Sequence, residues 1–230
     1  MTIPSAFVFD AYGTLFDVHS ISVRAHALAT QSGTALSQLW RTKQLEYTWL
    51  QSLMGRRDDF AGITALALDY AIAALGLPLD ATARRSLLDA YLQLSPYADA
   101  RATLERLAPR PRWILSNGTR AMLDPLIAHA GLGDVLDGTL SVDEAGIYKP
   151  SPRVYQLAVD RLGLPAKHIG FVSSNGWDAV GAKAFGFTTW WINRGGTPLD
   201  KHGPAPDFIV GTLAEVAAFA SGDQGLGIGG

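Results

Sequence analysis

Cysteine is absent from the chain, and charge of one sign is not concentrated anywhere along it. With no cysteine among 230 residues, disulfide scaffolds, thiolate zinc sites and cysteine nucleophiles are excluded. The 19 basic and 21 acidic residues leave a net charge of −2 without a basic run. A nucleic-acid-binding surface, which shows as clustered Lys and Arg, is therefore not predicted. A small anionic ligand stays open, because one well-placed arginine is enough to bind it.

Long apolar runs are also absent. No run approaches the roughly 18 residues of a membrane-spanning helix, and residues 1–9 lack the basic and apolar regions of a signal peptide. We therefore expect a soluble, cytoplasmic protein with no membrane partner. Hydrophobic residues make up 48% of the chain, which is enough for a buried core and argues against intrinsic disorder.

Five short apolar runs predict β-strands. Each run is nearly continuous rather than alternating, as in the strands of a parallel sheet that is covered on both faces. Helical patterns separate the later runs, which predicts βαβ units and a Rossmann-like, doubly wound parallel α/β fold. The predicted strands are residues 6–9, 113–115, 169–172, 188–192 and 208–210, and the predicted helices lie around residues 102–107, 121–130, 152–162, 177–185 and 213–220.

The segment from about residue 17 to residue 96 breaks this alternation. It has helical spacing and no clear strand, and Gly33 and the turns at residues 55–59 and 76–78 divide it into about four helices. An all-helical insertion directly after the first strand predicts a cap over the mouth of the sheet. The predicted organisation is a core domain of residues 1–16 and 97–220, a helical cap subdomain of residues 17–96 and a flexible, glycine-rich tail of residues 221–230.

The second helix of this insertion carries an apolar face and an arginine. Arg41 lies on a different side of the helix from that face. This placement predicts that the helix packs within the cap while Arg41 points towards the sheet. The residues of the apolar face are Leu36, Leu39, Trp40, Tyr47 and Leu50.

Polar residues follow three of the predicted strands. Asp10 ends the first, Ser116 and Asn117 end the second, and residues 173–175 end the next. Ligands of open α/β sheets bind beyond the carboxyl ends of the strands, and a buried polar group without a partner is costly. The convergence of these side chains therefore predicts a functional site at this edge of the sheet.

The sequence around these residues resembles the haloacid dehalogenase superfamily. Residues 9–17, Phe-Asp-Ala-Tyr-Gly-Thr-Leu-Phe-Asp, resemble its first motif. Ser-Asn-Gly at 116–118, Tyr-Lys-Pro at 148–150 and Phe-Val-Ser-Ser-Asn-Gly-Trp-Asp at 171–178 follow in the order of its later motifs. The last stretch is the most specific, and it is similar to the L-2-haloacid dehalogenases. The resemblance extends from about residue 6 to residue 210.

This resemblance implies hydrolysis of short L-2-haloalkanoic acids to D-2-hydroxy acids and halide, without a metal or a cofactor. Asp10 would attack the halogen-bearing carbon from the rear and form an ester that water then hydrolyses. Thr14 would hydrogen-bond Asp10 and its loop. Lys149 would fix Asp10 and stabilise the developing ester.

The remaining roles concern the substrate and the halide. Arg41 has a permanently charged, planar guanidinium, which would hold the substrate or receive the departing halide. The resemblance implies that Asn117 and Trp177 complete the halide site. Tyr155 would support Lys149 or bind the substrate carboxylate. The residues that would orient Lys149 and the hydrolytic water are Ser173, Asn175 and Asp178.

Further residues are expected to contact the rest of the substrate. Ser116 and the backbone amides near Ala11 and Tyr12 would hold the substrate carboxylate. An apolar pocket for the substrate side chain would exclude water and limit the chain length accepted. The residues expected to form its wall are Tyr12, Leu45, Phe60 and Trp177.

Two departures from the superfamily's phosphatase pattern bear on the chemistry. Tyr12 stands where phosphatases carry a second aspartate as general acid, and residues 173–175 are neutral where they carry magnesium ligands. Both departures disfavour phosphatase activity. Opening of a strained ring such as azetidine-2-carboxylate, phosphate hydrolysis and non-catalytic binding stay open as alternatives. The resemblance also implies a homodimer, with the cap helices as a plausible interface.

Overall fold

The computed structural model describes residues 3–29 and 32–222. Within these ranges the chain forms one six-stranded sheet, all of it parallel, in the order β3-β2-β1-β4-β5-β6. The strands are β1 (Ala6–Phe9), β2 (Arg112–Ser116), β3 (Gly138–Ser141), β4 (Ile169–Ser173), β5 (Thr188–Ile192) and β6 (Phe208–Val210). The predicted doubly wound α/β fold is confirmed.

The central strand β1 is completely buried, and it pairs with β2 on one side and β4 on the other. Val8 is level with Trp113 of β2 and with Phe171 of β4. From β1 the chain continues to β2 and β3 on one side, and then crosses to β4, β5 and β6 on the other. The strand order therefore reverses between β1 and β4, which is where open α/β sheets place their ligand-binding crevice.

The sequence reading missed strand β3. Its four residues, Gly-Thr-Leu-Ser, contain only one large apolar side chain, Leu140, so no apolar run marks the strand. β3 pairs only with β2, at the edge of the sheet. A Cβ on Gly138 would lie 2.4 Å from the Trp113 ring, so the small residue makes room for that indole. The strand predicted as third, β4, is therefore the fourth.

Five helices connect and cover the strands of the sheet, and each lies within two residues of its predicted position. α7 illustrates the local signals, since it begins at Pro152 and is followed by Gly163, which caps it in the left-handed conformation with φ of 63°. The five helices are α5 (Ala100–Leu107), α6 (Arg120–His129), α7 (Pro152–Leu162), α8 (Gly176–Phe185) and α9 (Leu213–Ala220).

Four α-helices occupy the described part of the segment between β1 and α5, as the turn signals predicted. They are α1 (Ile21–Leu28), α2 (Gly33–Leu53), α3 (Phe60–Ala74) and α4 (Ala81–Ala90), preceded by a 3₁₀ turn, Val18–Ser20. The side chains of Asp59 and Asp80 accept hydrogen bonds from the first turns of α3 and α4 and so cap them. The two ends of the segment lie next to each other, because Asp17 N donates to Ser95 O and Tyr97 N donates to Leu15 O.

The long helix α2 packs between α1 and α3 through one buried face. Leu36 and Trp40 of the predicted apolar face are buried, but Leu50 is exposed, so the prediction is wrong at that residue. The exposed region continues to the end of α2, because Leu53 and the following residue Met54 are also exposed.

None of the helices in the described ranges has both the length and the apolar character of a membrane span. Of the predicted flexible tail, Ser221 and Gly222 are described and residues 223–230 lie outside the described residues.

Candidate active site

Asp10 lies directly beyond β1, between the ends of β2 and β4, and it is almost completely buried. Three side chains donate to its carboxylate. Lys149 Nζ lies 3.1 Å from Oδ1, while Asn175 Nδ2 and Thr14 Oγ1 lie 2.8 Å and 3.1 Å from Oδ2. These bonds hold both carboxylate oxygens in one orientation, and they bring together four residues that the sequence places in three separate motifs.

The loop after Asp10 folds back on itself and is anchored to the core. Ala11 O accepts the backbone amides of Thr14, Leu15 and Phe16. Gly13 has φ of 89°, a conformation that favours glycine. This turn places Thr14 over Asp10.

Arg194, which was not predicted from the sequence, also binds the backbone of this loop. Arg194 donates from Nη1 to Gly13 O and from Nη2 to Thr14 O, both at 3.1 Å, and its guanidinium lies 3.6 Å from the centre of the Tyr97 ring. Arg194 belongs to no recognised motif. Arg194 follows β5 by two residues and so lies at the same edge of the sheet as Asp10, which is the only feature of the sequence that could have indicated its role.

Lys149 is a fully buried lysine shared by two carboxylates. Besides its bond to Asp10, its Nζ lies 2.9 Å from Asp178 Oδ2 and 4.9 Å from the centre of the Phe171 ring. Its backbone amide donates to Asn117 Oδ1 at 3.1 Å. Burial lowers the pKa of Lys149, but the charges of Asp10 and Asp178 outweigh it, so the pKa lies above 10.5. The ammonium group is therefore charged at neutral pH.

Asp178 lies behind Lys149 and is itself completely buried. Burial raises its pKa above the ordinary value, although the charge of Lys149 acts in the opposite direction. Tyr155 OH donates to Asp178 Oδ1 at 2.8 Å, and its aromatic ring packs among phenylalanines. Of the two roles open for Tyr155, support of Lys149 is the one this geometry favours, and it acts through Asp178. A contact between Tyr155 and the substrate carboxylate does not fit, because the hydroxyl is already bonded on the far side of Asp178.

Ser173 has a different contact from the predicted one. Its buried hydroxyl oxygen accepts from Asn175 N at 3.1 Å, whereas Lys149 Nζ donates to the two aspartates. Ser173 therefore fixes the turn that carries Asn175. A direct bond from Ser173 to Lys149 is not part of this arrangement.

Helix α2 brings Arg41 to the edge of the sheet. Arg41 Nη2 lies 3.4 Å from Asn175 Oδ1 and 3.5 Å from Tyr12 O, and Nη1 lies 2.7 Å from Gln44 Oε1. Asn175 bonds Asp10 through its Nδ2 and Arg41 through its Oδ1, so it connects the carboxylate with the guanidinium. Gln44 was not recognised from the sequence.

Two buried donors belong to residues that were predicted to contact the substrate or the halide. Trp177 Nε1 and Tyr12 OH are buried and have no hydrogen-bond partner within the described part of the chain. Buried donors are normally paired, so these two are available to a bound acceptor. Asn117 Oδ1 is occupied by Lys149 N, which leaves its Nδ2 facing the other way.

The residues predicted to contact the rest of the substrate lie on α2, at the start of α3 and at the end of β2. The buried Phe60 ring is centred 5.6 Å from the Tyr12 ring. Leu45 is half-buried on α2, one turn after Arg41. Ser116 is buried at the end of β2, where its Oγ accepts from Gly118 N at 3.1 Å. Their contact with substrate stays a prediction.

No group of three or more His, Asp or Glu side chains within residues 3–29 and 32–222 is placed to hold a metal ion. The site instead contains one carboxylate held by three donors, a buried ammonium and a guanidinium. Such a set can deliver a carboxylate nucleophile to a neighbouring carbon and stabilise an anion that leaves it.

Comparison with known proteins agrees with this chemistry. A model of the haloacid dehalogenase-like hydrolase family matches residues 4–186. The (S)-2-haloacid dehalogenase of Pseudomonas sp. (strain YL) is 49% identical over 210 residues, which is 90% of each chain. The structure of L-2-haloacid dehalogenase from Xanthobacter autotrophicus superposes with a TM-score of 0.90 at 40% identity and covers 95% of this chain and 99% of its own.

A second structure of the Xanthobacter autotrophicus enzyme has chloropropionic acid covalently bound. It matches with a TM-score of 0.88 at 39% identity and covers 97% of this chain and 100% of its own. Both sequence and fold therefore match along nearly the entire length. The chain belongs to the haloacid dehalogenase-like hydrolases and, within them, to the family of the (S)-2-haloacid dehalogenases.

Proposed function

We propose that the protein hydrolyses short L-2-haloalkanoic acids to D-2-hydroxy acids and halide, with Asp10 as the nucleophile. The observation that carries the proposal is the Asp10 carboxylate, which Lys149, Asn175 and Thr14 hold in place next to Arg41. In this proposal residues 17–96 act as a cap on a core of residues 1–16 and 97–220, because α2 carries Arg41 to the sheet edge.

In the first step an Asp10 oxygen attacks C2 of the substrate from the side opposite the halogen. Oδ1 is the attacking atom, because it accepts one hydrogen bond while Oδ2 accepts two. A new C–O bond forms, the carbon–halogen bond breaks, and the halide leaves with the bonding electrons. The configuration at C2 inverts.

The departing halide is stabilised by donors that carry no competing strong bond. Arg41 contributes its charge, and its Nη2 contacts to Asn175 and Tyr12 are long. Trp177 Nε1 contributes an unpaired N–H, and Asn117 Nδ2 contributes an amide. Because a halide needs no proton to leave, no general acid is required in this step.

In the second step water attacks the carbonyl carbon of the Asp10 ester. The bond between that carbon and the ester oxygen breaks, so the oxygen stays with the product and C2 keeps its inverted configuration. One proton of the water goes to the product hydroxyl and the other to solvent. The negative charge of the tetrahedral intermediate develops on Oδ2, to which Asn175 and Thr14 donate. Lys149 stabilises the ester oxygen Oδ1 as it leaves, and Asp178 and Tyr155 keep Lys149 in place.

The test is halide release from each enantiomer of 2-chloropropionate, with and without a chelator. We expect release from the L isomer alone, unaffected by the chelator, and a D-lactate product. Repeated turnover in ¹⁸O-water should introduce ¹⁸O into the Asp10 carboxylate, as detected by peptide mass spectrometry. Label that appears only in the product would instead indicate direct attack of water on C2.

Asp10→Asn tests whether the Asp10 carboxylate is the nucleophile, because it removes the negative charge and keeps the size of the side chain. The variant should fold, because Lys149 keeps Asp178 as an ionic partner, and it should release no halide. Asp200→Asn, at an exposed aspartate, is the control and should keep full activity. Turnover by Asp10→Asn would refute the proposal. The relatives that match along nearly the entire chain are haloacid dehalogenases, which supports halide displacement rather than opening of a strained ring.

We also propose that the protein forms a homodimer through an exposed apolar face of α2 and α3. We call this the α2–α3 face, and it consists of Leu50, Leu53, Met54, Leu66 and Tyr70. Within this face Tyr70 contacts Tyr47 of α2, with ring centres 6.5 Å apart, so the two helices pack against each other there. Exposed apolar side chains grouped on neighbouring helices are typical of protein interfaces.

The dimer is tested by analytical ultracentrifugation. Leu53→Asp places a charge at a residue that is 84% exposed and should shift the protein to monomer without unfolding it. Val23→Asp, at a residue of α1 that is 75% exposed, is the control and should stay dimeric. A monomeric wild-type protein would contradict the proposal. The cytoplasmic location stays a prediction, which cell fractionation tests.

A further inference from the structure

Gln44 is a completely buried glutamine on α2, one turn from Arg41 and outside every motif of the sequence. Its Oε1 accepts from Arg41 Nη1 at 2.7 Å and from Tyr91 OH at 3.4 Å, and its Nε2 donates to Thr64 Oγ1 at 2.7 Å. Burying an amide is costly unless both of its ends are bonded. Here both ends are bonded, and one of the partners is the guanidinium at the sheet edge.

The orientation of the Gln44 amide follows from its neighbour. The Thr64 hydroxyl donates to Phe60 O at 2.6 Å, so the Thr64 oxygen is left to accept. Gln44 must therefore turn its N–H₂ towards Thr64 and its oxygen towards Arg41. Trp40 Nε1 also donates to Thr64 O at 2.8 Å and fastens α2 to α3 at this level. The acceptor that faces Arg41 is thus fixed by the packing of two helices.

The contacts of Arg41 are unequal. Its bond to Gln44 is 2.7 Å long, whereas those to Asn175 and Tyr12 on the Asp10 side are 3.4 Å and 3.5 Å. The short bond fixes one edge of the guanidinium, and the other edge keeps its donors for an anion. Because glutamine is neutral, it holds the guanidinium without cancelling its charge.

We infer that Gln44 is a positioning residue that holds Arg41 against the departing halide, an inference that rests on the proposed dehalogenase reaction. The neutral amide is essential to this role. A glutamate at this position would offer a second oxygen to Thr64, whose hydroxyl proton is already given to Phe60, and its charge would weaken the attraction of Arg41 for halide.

The test compares Gln44→Met and Gln44→Glu with Thr48→Val. Thr48 is buried on the same helix, and its hydroxyl donates only to Leu45 O, so Thr48→Val removes a buried polar group without touching Arg41. The first readout is the Arg41 guanidinium N–H signals in ¹H–¹⁵N spectra. We expect slow solvent exchange of these protons in the wild type and in Thr48→Val, and fast exchange in Gln44→Met. This readout needs no enzymatic activity.

The second readout is ester formation with 2-chloro- and 2-bromopropionate in single-turnover experiments. Misplacing Arg41 should slow chloride displacement on the order of 100-fold, and bromide displacement less, because bromide needs less stabilisation. Ester hydrolysis should keep its rate. Gln44→Glu should slow chloride displacement at least as much while the protein remains folded.

The possible failures are distinguishable. Unchanged Arg41 exchange in Gln44→Met overturns the positioning role, whatever the enzymatic activity. Changed exchange with equal slowing of chloride and bromide displacement also overturns it, because Gln44 would then act on the fold alone. Absence of halide release by the wild-type protein overturns the proposed function and with it the role towards halide, while the exchange data still decide whether Gln44 fixes Arg41.

Discussion

Lys149 and Asp10 form a buried ion pair, in which Nζ lies 3.1 Å from Oδ1. Asp178 binds the same ammonium group from the other side at 2.9 Å, so one cation serves two carboxylates. All three side chains are almost completely buried. The charge balance beneath the site therefore depends on one lysine, which has consequences for stability as well as for activity.

Replacing this lysine should make stability depend on pH in a new way. Lys149→Met leaves Asp10 and Asp178 buried without a cation, at a cost of about 3–5 kcal/mol in the free energy of unfolding at neutral pH. Burial already raises the pKa of Asp178, and without the opposing charge of Lys149 this pKa should lie further above its unfolded value. Stability from a raised pKa is present at low pH and lost as pH rises. Urea unfolding at pH 7 and pH 5 should therefore show the variant gaining stability on acidification.

The double variant Lys149→Met/Asp178→Asn is the control for this effect. It removes one of the two uncompensated charges and should recover much of the lost stability at neutral pH, while halide release stays absent. If Lys149→Met unfolded with the wild-type free energy at pH 7, the ion pair would not hold the site together.

The alkaline limit of the wild-type enzyme follows from the same group. The pKa of Lys149 is raised above 10.5 by Asp10 and Asp178, which outweigh the opposing effect of burial. Its contribution to stability is thus complete below the unfolded value of 10.5 and is lost as pH rises through the folded value. We expect single-turnover ester formation to be constant from neutral pH up to that limit. A decline well below it, in protein that remains folded by circular dichroism, would contradict the assignment.

Tyr155→Phe separates the two roles that the sequence left open for Tyr155. Phenylalanine keeps the ring packing and removes the 2.8 Å bond to Asp178, which should cost about 1.5–3 kcal/mol of stability. That bond lowers the pKa of Asp178, so its loss should raise the pKa further and move the acid limb of the rate profile to higher pH. We expect a several-fold lower kcat with an unchanged KM. A raised KM with unchanged kcat would instead indicate a contact with the substrate carboxylate.

Much of the site could be predicted because its residues follow apolar runs. Asp10, Asn117 and Asn175 each come just after a buried strand, and parallel strands bring their carboxyl ends to one edge. The strand order that makes β2, β1 and β4 neighbours could not be derived from those runs. Strand β3 was not predicted, because Leu140 is its only large apolar residue.

The supporting residues could not be predicted for a different reason. Gln44 and Arg194 lie outside every motif, and their roles arise from contacts with Thr64 and Gly13, which are distant in sequence. A glutamine on a helix and an arginine after a strand are usually solvent-exposed, so burial and hydrogen-bond partners have to be seen in three dimensions. Tyr155 shows the same limit, since its position behind Asp178 depends on how α7 packs on α8.

Gly118→Ala should disturb the site through Tyr12 rather than through the backbone. A Cβ at Gly118 would lie 2.9 Å from Tyr12 Cε2 and 3.0 Å from its hydroxyl. The Tyr12 ring is packed between Phe60 and Tyr91, with ring centres 5.6 Å and 6.0 Å away, so a displaced ring should move towards the proposed pocket. Overpacking of this kind costs about 1–3 kcal/mol of stability.

The displaced ring should narrow the proposed pocket for the substrate side chain. We expect kcat/KM to fall about 10-fold or more, as for other small displacements of positioning groups, and to fall further with 2-chlorobutyrate than with 2-chloropropionate. Gly133→Ala is the matched control, because its Cβ would meet no atom closer than 4.0 Å. Equal losses for the two substrates would show that Tyr12 does not line the pocket. Full activity of Gly118→Ala would show that the ring adapts without affecting Asp10.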